Sequence, residues 1–356
     1  MKSNYRYIVK AFMAMAVIAG TTSCDDFLDR EPMSSISPET YYSTAAQLEA
    51  NLNDEYPNVL PSFGQWTYGI FGEDKGTDNQ IEVNANDRYT QDRWKVPHSE
   101  SDNWKFERIY RINFFLSEAL PKFGEDMIGS QNTISGSVAT IKHYIGEMYF
   151  LRAYEYFKKL QLFGDFPIIN QPLADEMEAL REASKRFPRN EVARFIISDL
   201  DKAYAYMSDV DMATTRINKD AAMLVKSRVA LFEATWLQNF KGTAFVPGGE
   251  GWPGASLHNN YQYPSGNIDN EVKYFLEQAV EASKLVADKY KGSLTENTGV
   301  LQQSADDPSN PYFDMFAQED LSDVKEVLLW RQYARGLSTH TVSYTHLRAH
   351  ETLSDL

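Results

Sequence analysis

Two tryptophans lie among acidic, amide and guanidinium side chains in residues 62–100, a stretch with no sustained helical or strand period. An indole ring offers a flat apolar face, and Asp, Asn and Arg side chains offer acceptors and donors for hydroxyl groups. A sugar needs both, because its ring exposes C–H patches beside its hydroxyls. We therefore predict that the ligand-binding residues are Trp66, Asp78, Asn79, Arg88 and Trp94. The alternative is that the two tryptophans pack this long loop against the body of the protein.

The sequence lacks the common motifs for binding metal ions and nucleotides. There is no H-E-x-x-H, phosphate-binding or dinucleotide-binding motif. His98, His143 and His258 lie far apart in unrelated contexts, so we interpret each as a structural or surface residue. The stretch Asp74–Asn79 could offer oxygen atoms to Ca²⁺ but lacks the ordered ligand spacing of an EF-hand, and a solvated loop is the better interpretation. We expect no metal and no cofactor.

Catalytic carboxylates are also poorly supported. The adjacent acidic pairs Asp25/Asp26 and Asp306/Asp307 fall in linker or loop sequence, and no G-x-S-x-G motif is present. A glycosidase dyad remains possible in principle, because its carboxylates need only meet in space. We expect a protein that binds rather than one that catalyses, with a surface glycoside hydrolase and a non-binding helical scaffold as the alternatives.

Composition narrows the class of partner. The 356 residues carry a net charge of −15, which argues against nucleic acid as a partner and against a basic membrane-binding face. Aromatic residues are numerous, with 21 Tyr, 20 Phe and 6 Trp, and they can fill helix interfaces or stack on sugar rings. A single cysteine excludes a disulfide framework.

Residues 1–23 have the pattern of an export signal. Lys2, Arg6 and Lys10 precede the apolar run Ala11–Gly20, which is too short to span a bilayer as a helix. Small residues then lead to the lone Cys24, as in a lipoprotein signal, where the cysteine becomes the acylated first residue of the mature chain. Since two or more acyl chains give stable anchoring, we predict lipid attachment at Cys24. Plain secretion with a free thiol is the alternative.

Apolar residues recur at helical spacing through most of the remaining chain. We predict a first helix that opens over 38–42 and is ended by Pro57 and Pro61, and a second over 102–120 that Pro121 and Gly124 close. Later helices are expected to begin at Asn190, which we predict as an N-cap, at Asn218 and near Asp269. Residues 327–330 resemble the start of a strand.

The helix predicted over 137–163 is the one around which the others are expected to pack. One apolar stripe recurs at steps of 4, 3, 4 and 3, and consists of Gly146, Phe150, Ala153, Phe157 and Leu160. A second stripe lies on the preceding turns, which makes the helix apolar on two faces and predicts that it is buried between neighbours. Gly146 would let another helix approach closely, and Gly164 supplies the stop.

Repeated helices of about 20 residues favour a mainly α fold of tetratricopeptide-like antiparallel helix pairs with long irregular loops, an α-α superhelix. The glycine- and proline-rich stretch Gly242–Asn267 is predicted to be a loop that carries Phe245, Trp252, Tyr261 and Tyr263. These aromatic residues either dock on the body or await a ligand, and docking is the expectation.

Five segments resemble the SusD/RagB family of outer-membrane nutrient-binding lipoproteins. They are CDDFLD from Cys24, WKFERIYRIN from Trp104, EMYFLRAYEYFKKLQLFGDFPII from Glu147, DLDKA from Asp199 and NKDAAMLVKSRVALFEATW from Asn218. The resemblance spans roughly residues 24–330 and implies a SusD-like helical domain that is incomplete at its C-terminus. The tail 331–356 contains SYTHLRAHE, which looks non-native, and we exclude it from the fold.

The resemblance also implies a function. Members capture oligosaccharides at the cell surface and deliver them to a SusC-like TonB-dependent transporter of the outer membrane, to which they are bound through their lipid anchor. Some members bind peptides instead, so a RagB-like peptide-uptake lipoprotein is the alternative. The acidic start Asp25–Asp26 resembles the signal for surface display.

Overall fold

The computed structural model describes residues 41–61 and 103–332, except for 125, 209–211, 302–303, 305 and 319. Within these ranges the chain is mainly helical, and no β-strand is formed there. The helices are α1 (Ala45–Val59), α2 (Glu107–Phe123), α3 (Val138–Phe163), α4 (Met177–Ala183), α5 (Arg189–Tyr206), α6 (Lys219–Asn239), α7 (Ile268–Tyr290) and α8 (Pro311–Ala317), with a 3₁₀ turn at Pro253–Ser256. The predicted mainly α fold is confirmed.

Consecutive long helices pack side by side around α3, which contacts α1, α2 and α5. Helices α3 and α5 run antiparallel, since Gly146 lies against Ala203 while Arg152 reaches back to Asp199. Helices α5 and α6 are also antiparallel, because Arg189 near the start of one pairs with Glu233 near the end of the other. Helix α7 then packs against α6. The arrangement is the expected stack of tetratricopeptide-like antiparallel pairs.

Helix α3 is buried along most of its length, as its two apolar stripes predict. Every member of the stripe that includes Phe150 and Phe157 is buried, and so is the second stripe. Gly146 is required where α3 crosses α5: a Cβ there would lie 2.8 Å from the Met207 nitrogen and 2.9 Å from the Ala203 carbonyl oxygen. The close approach predicted for this glycine is confirmed.

Several helix ends agree with their predicted signals. The Ser137 hydroxyl accepts a hydrogen bond from the Thr140 N–H at the start of α3, and the Asn218 side chain accepts one from the Ala221 N–H at the start of α6. Gly164 ends α3 with φ at 67°, in the left-handed region that favours glycine.

Asn190 is not an N-cap, and that prediction is wrong. Helix α5 begins at Arg189, with Pro188 at the N-cap position, so Asn190 already lies inside the helix. Its amide nitrogen instead donates to Tyr261 Oη at 2.9 Å and to Glu271 Oε1 at 3.0 Å. The buried side chain therefore joins the helix to a distant loop and to α7.

Two prolines predicted to end helices lie within them. Helix α1 continues past Pro57 to Val59, and α2 continues past Pro121 to Phe123. Helix α2 ends at Gly124, whose φ of 102° only glycine adopts readily. In the last turn of a helix a proline removes one backbone donor without stopping the residues that follow it. Of the two residues predicted to close α2, Gly124 is therefore the one that ends it.

Residues 326–332 are not a strand, although the sequence of 327–330 suggests one. Within the described residues they have no partner strand, and a turn at 326 and a bend at 329 interrupt the segment. The Asn218 amide donates to the Leu328 carbonyl oxygen at 2.6 Å, and the Trp330 N–H donates to the Thr214 carbonyl oxygen at 3.1 Å.

The predicted signal segment, Cys24 and the tail beyond 332 lie outside the described residues. Among the helices that are described, none is long and apolar enough to cross a membrane.

Candidate functional site

The five residues predicted to bind a ligand lie outside the described part of the chain. Trp66, Asp78, Asn79, Arg88 and Trp94 all fall within 62–102. Two described residues mark where that segment leaves and rejoins the body. Pro61 lines a groove at the exit of α1, and the carbonyl oxygen of Asn103 accepts a hydrogen bond of 2.8 Å from Lys159 Nζ on α3. The predicted residues therefore stay a prediction.

A groove of about 860 Å³ lies between α1 and α6, with α3 as its floor and residues 326–332 along one side. We call it the α1–α6 groove. Its aromatic members are Tyr56, Phe150, Tyr154 and Trp330, and its polar members include Asn53, Thr215, Glu326 and Gln332. A volume of this order is typical of small-molecule and ligand sites. The groove thus combines ring faces with hydrogen-bonding groups, which is the chemistry predicted for residues 62–100.

Tyr154 is the ring on the groove floor that a ligand can reach most directly. It stacks on Phe150 with the ring centroids 6.1 Å apart and the planes 11° from parallel. Burial raises its pKa, and the nearby Arg228 only partly opposes this, so the phenol is neutral at physiological pH. Its hydroxyl makes no hydrogen bond to another described residue. Tyr154 therefore offers a ring edge, and a hydroxyl that no other described residue engages.

Tyr56 lines the opposite wall and is held firmly. Its hydroxyl donates to Glu147 Oε2 at 2.5 Å and accepts from the Ile217 N–H at 2.9 Å. Burial raises the pKa of Tyr56 well above its ordinary value, and the charge of Glu147 raises it further. The phenol remains protonated, so it can keep donating to Glu147 while its ring faces the groove.

Trp330 is fixed along the side of the groove by the segment that precedes α6. Its indole Nε1 donates to Thr214 Oγ1 at 2.8 Å, in addition to the backbone hydrogen bond between the same two residues. Leu224, which is 49% exposed, completes an apolar rim on α6. The groove is therefore built from four segments that are distant in sequence: 53–61, 150–154, 215–225 and 326–332.

The loop Gly242–Asn267 mostly docks on the helices, as expected. Trp252 is buried, and its Nε1 donates to Asp165 Oδ2 at 2.8 Å. The Tyr261 hydroxyl bonds to Asn190, and the Tyr263 hydroxyl donates to the Pro247 carbonyl oxygen at 2.6 Å. Phe245 is the exception, at 61% exposed. Three of the four loop aromatic residues are thus structural rather than free to bind a ligand.

The described histidines occupy separate environments. His143 is buried on α3, with Nε2 3.0 Å from the Ile217 carbonyl oxygen. His258 Nε2 lies 2.8 Å from the Arg186 carbonyl oxygen, in the loop after α6. Across the described ranges, no group of three His, Cys, Asp or Glu side chains is placed to hold a metal ion.

Comparison with known families decides the class of this fold. The profile of a SusD-like family, described as starch-binding and associating with the outer membrane, matches residues 26–231, more than half of the chain. The chain belongs to the SusD-like family. The match covers α1 to most of α6, and hence every helix that lines the α1–α6 groove.

Curated relatives of this SusD-like protein come from Formosa agariphila. SusD-like protein P25 is 26% identical over 233 residues, which are 60% of this chain and 41% of that protein. SusD-like protein P2 is 25% identical over 253 residues, covering 68% of this chain and 46% of that protein. The matched part therefore spans less than half the length of these relatives.

Solved structures of similar proteins include a SusD-like carbohydrate-binding protein from Bacteroides vulgatus, at 14% identity and a TM-score of 0.40, with 76% of this chain and 50% of that chain covered. A laminarin-binding SusD-like protein aligns at 16% identity and a TM-score of 0.33, over 55% of this chain and 30% of that chain.

Sequence reasoning missed the groove of this SusD-like protein for an identifiable reason. Tyr154 belongs to the central helix, but it falls between the two apolar stripes, so helical periodicity does not mark it as a ligand-binding residue. The sequence feature that could have indicated it is a tyrosine between two stripes of a helix that is otherwise buried. The contribution of Thr214 and Trp330 could not be found this way, because only the tertiary structure brings the two residues together.

Proposed function

We propose that this SusD-like protein is a lipid-anchored protein of the outer membrane that captures oligosaccharides at the cell surface and delivers them to a SusC-like TonB-dependent transporter. The family match over residues 26–231 carries the proposal. The CDDFLD segment at Cys24 supports the lipid anchor and surface display. The domain assignment that goes with it is a signal at 1–23 and a SusD-like domain over 24–330.

Two regions are proposed to contact the glycan. The first is the set predicted from the sequence, with Trp66 and Trp94 as stacking platforms. The second is the α1–α6 groove, with Tyr154 as its accessible ring. The hydroxyl of Tyr154 and the amide of Gln332 would supply polar partners beside the aromatic rings, which is what a pyranose requires.

Lipid anchoring is tested by the Cys24→Ala variant. Without the thiol no acyl chain can be attached, and the protein should move from the membrane fraction to the soluble fraction. The measurement is immunoblotting of fractionated cells that express wild type or variant. A conservative Ser23→Ala variant, which keeps the cysteine, serves as the control and should stay in the membrane. Unchanged membrane retention of Cys24→Ala would contradict the lipoprotein assignment.

Glycan binding is tested on the full-length protein with soluble starch and laminarin as probes, by affinity electrophoresis and then by calorimetry. Tyr154→Ala, Trp66→Ala and Trp94→Ala should each remain folded by circular dichroism. Each should weaken binding of the retained polysaccharide by about 1–3 kcal/mol, if stacking on a sugar resembles that measured for aromatic platforms on bases.

The control for that experiment is Phe245→Ala, which removes an exposed aromatic ring that does not line the groove. It should bind as wild type does. Loss in Tyr154→Ala alone would place the ligand in the groove, and loss in the tryptophan variants alone would place it in the 62–100 segment. Normal binding by all three variants would contradict both proposed regions, and release of reducing sugar by the purified protein would contradict a non-catalytic role.

A peptide ligand is the second candidate, and one observation favours it. Residues 326–332 line one side of the groove, with the Leu328 carbonyl oxygen bound by the Asn218 side chain and the Trp330 N–H bound by the Thr214 carbonyl oxygen. The segment that precedes α6 thus holds a polypeptide through its backbone, as binding of a peptide would require. Competition of a mixed oligopeptide digest against the bound polysaccharide would distinguish the two ligand classes.

A further inference from the structure

A buried carboxylate lies directly beneath the α1–α6 groove. Glu147 on α3 has no exposed surface, yet donors from three segments reach it. Tyr56 Oη donates to Oε2 at 2.5 Å, and Arg216 donates to both oxygens, from Nε at 3.0 Å and from Nη2 at 2.9 Å. His143 Nε2 lies 3.2 Å from Oε1. The carboxylate thus joins α1, α3 and the segment before α6.

Two partners of Glu147, Tyr56 and Arg216, connect it to the walls of the groove. On the α1 side, Tyr56 itself lines the groove, and Arg216 Nη1 donates to Oδ1 of Asn53, another lining residue, at 3.0 Å. On the α6 side, the Tyr56 hydroxyl also accepts the N–H of Ile217. Glu147 therefore lies at the centre of the contacts that join the α1 wall to the segment 212–218.

The segment 212–218 in turn carries the residues that hold the third side. Thr214 receives both hydrogen bonds from Trp330, and the side chain of Asn218 binds the carbonyl oxygen of Leu328. A shift of this segment would move Trp330 with it, because its backbone and its indole are attached at the same residue. The geometry of the groove is thereby linked to Glu147 through Arg216.

We infer that Glu147 is a positioning residue for the α1–α6 groove, whose negative charge sets the spacing of Tyr56, Asn53 and Trp330 and so the affinity for the ligand. This inference rests on the proposed function in that it takes the groove as a binding site. The link between Glu147 and the groove walls is independent of it. Glutamine in place of Glu147 keeps the shape but turns one acceptor into a donor, which then faces the donors of Arg216 or Tyr56.

The chain offers a matched control in Glu233. It is equally buried and is held by Arg189 with nearly the same geometry, from Nε to Oε1 at 3.0 Å and from Nη2 to Oε2 at 2.9 Å. Its partner lies at the start of α5, and neither residue lines the groove. Glu233→Gln therefore reproduces the loss of a buried ion pair without touching the groove.

The test compares Glu147→Gln with Glu233→Gln in the full-length protein. Hydrogen–deuterium exchange should rise at least tenfold over 212–218 and 326–332 in Glu147→Gln and stay unchanged there in Glu233→Gln. Affinity for whichever of starch or laminarin the wild type retains should fall about tenfold in Glu147→Gln and change less than twofold in Glu233→Gln. Both variants should show a similar fall in Tm.

The outcomes separate the inference from the proposed function. Equal exchange in the two variants over those segments overturns the inference, whatever the ligand. Weak binding by Tyr154→Ala combined with wild-type affinity of Glu147→Gln also overturns it, while the groove stands as the site. Selective exchange in Glu147→Gln with normal binding by Tyr154→Ala supports the positioning of the groove and removes the groove as the glycan site. If neither polysaccharide binds, the exchange comparison alone decides the inference.

Discussion

Replacing Arg152 by alanine is expected to lower the free energy of unfolding by about 3–5 kcal/mol, because it leaves a buried carboxylate without its partner. Arg152 is only 3% exposed, and its guanidinium holds both oxygens of Asp199, at 2.7 and 2.8 Å. Its Nη1 also donates to Asn113 Oδ1 at 2.9 Å and to the Asn170 carbonyl oxygen at 3.1 Å. Chemical denaturation followed by circular dichroism measures the loss.

The natural control is Arg181→Ala, which breaks an ion pair with Glu178 in which both side chains are 73% exposed. Exposed pairs contribute about 0–1 kcal/mol, so this variant should unfold almost as wild type does. Replacing Arg152 by Met together with Asp199 by Leu should cost less than Arg152→Ala alone, since no charge is then left unpaired. A loss below about 1 kcal/mol in Arg152→Ala would show that the Arg152–Asp199 ion pair is not buried in solution as it is in the structure.

Phe157→Ala is expected to cost a similar amount, about 3–5 kcal/mol, for a different reason. The ring is buried on α3 and meets Phe232 of α6 edge to face, with the centroids 5.6 Å apart and the planes at 83°. Alanine would leave a cavity between two helices that are already close-packed, and the surroundings can collapse only in part. The measurement is again the free energy of unfolding, obtained from urea titration.

Leu162→Ala provides the comparison on the same helix, because Leu162 is 57% exposed and a smaller side chain there leaves no cavity. Its effect should remain within about 0.5 kcal/mol. If Phe157→Ala cost less than about 1 kcal/mol, the assignment of this stripe to the core would be wrong, and α3 could not be the helix around which the others pack.

The helical spacing of apolar residues was sufficient to predict α3. The helix is buried against neighbours on two faces, so the positions on both faces must be apolar. The stripe from Gly146 to Leu160 and its stop at Gly164 are found as expected. The same reasoning placed α5, α6 and α7 within one or two residues of their observed starts. Local signals, which involve residues within one helical turn of each other, could be read directly.

Ion pairs and hydrogen bonds between residues distant in sequence could not be predicted from local patterns. Arg152 and Glu147 stand among the apolar residues of α3, and a charged residue there carries no sign of the partner that neutralises it. Asp199 and Arg216, the partners, lie about 50 and 70 positions further along the chain. Asn190 shows the converse, since its local pattern predicts a cap while its side chain is committed to Glu271.

The two candidate ligand-binding regions differ in the same way: one can be predicted from local sequence, and the other depends on contacts between distant segments. Residues 62–100 have the composition of a ligand-binding loop, and that remains a prediction, since the segment lies outside the described residues. The α1–α6 groove is formed by segments from Asn53 to Gln332, and it exists only after the helices have stacked. Composition can suggest that a loop binds something, whereas a groove between helices is a property of the assembled fold.

The serial packing of the helices has a consequence for how the protein folds and opens. Most contacts join an element to one close to it in sequence: α2 to α3, α5 to α6 and α6 to α7. Such a chain has few distant contacts to close, so its helix pairs can form early and add to one another. Contacts across more than 100 residues converge on the segment before α6: Leu328 and Trp330 bind it from one side, and Asn53 and Tyr56 bind it from the other. We therefore expect this convergence to form after the neighbouring helices have paired, and to be among the first parts of the fold to open.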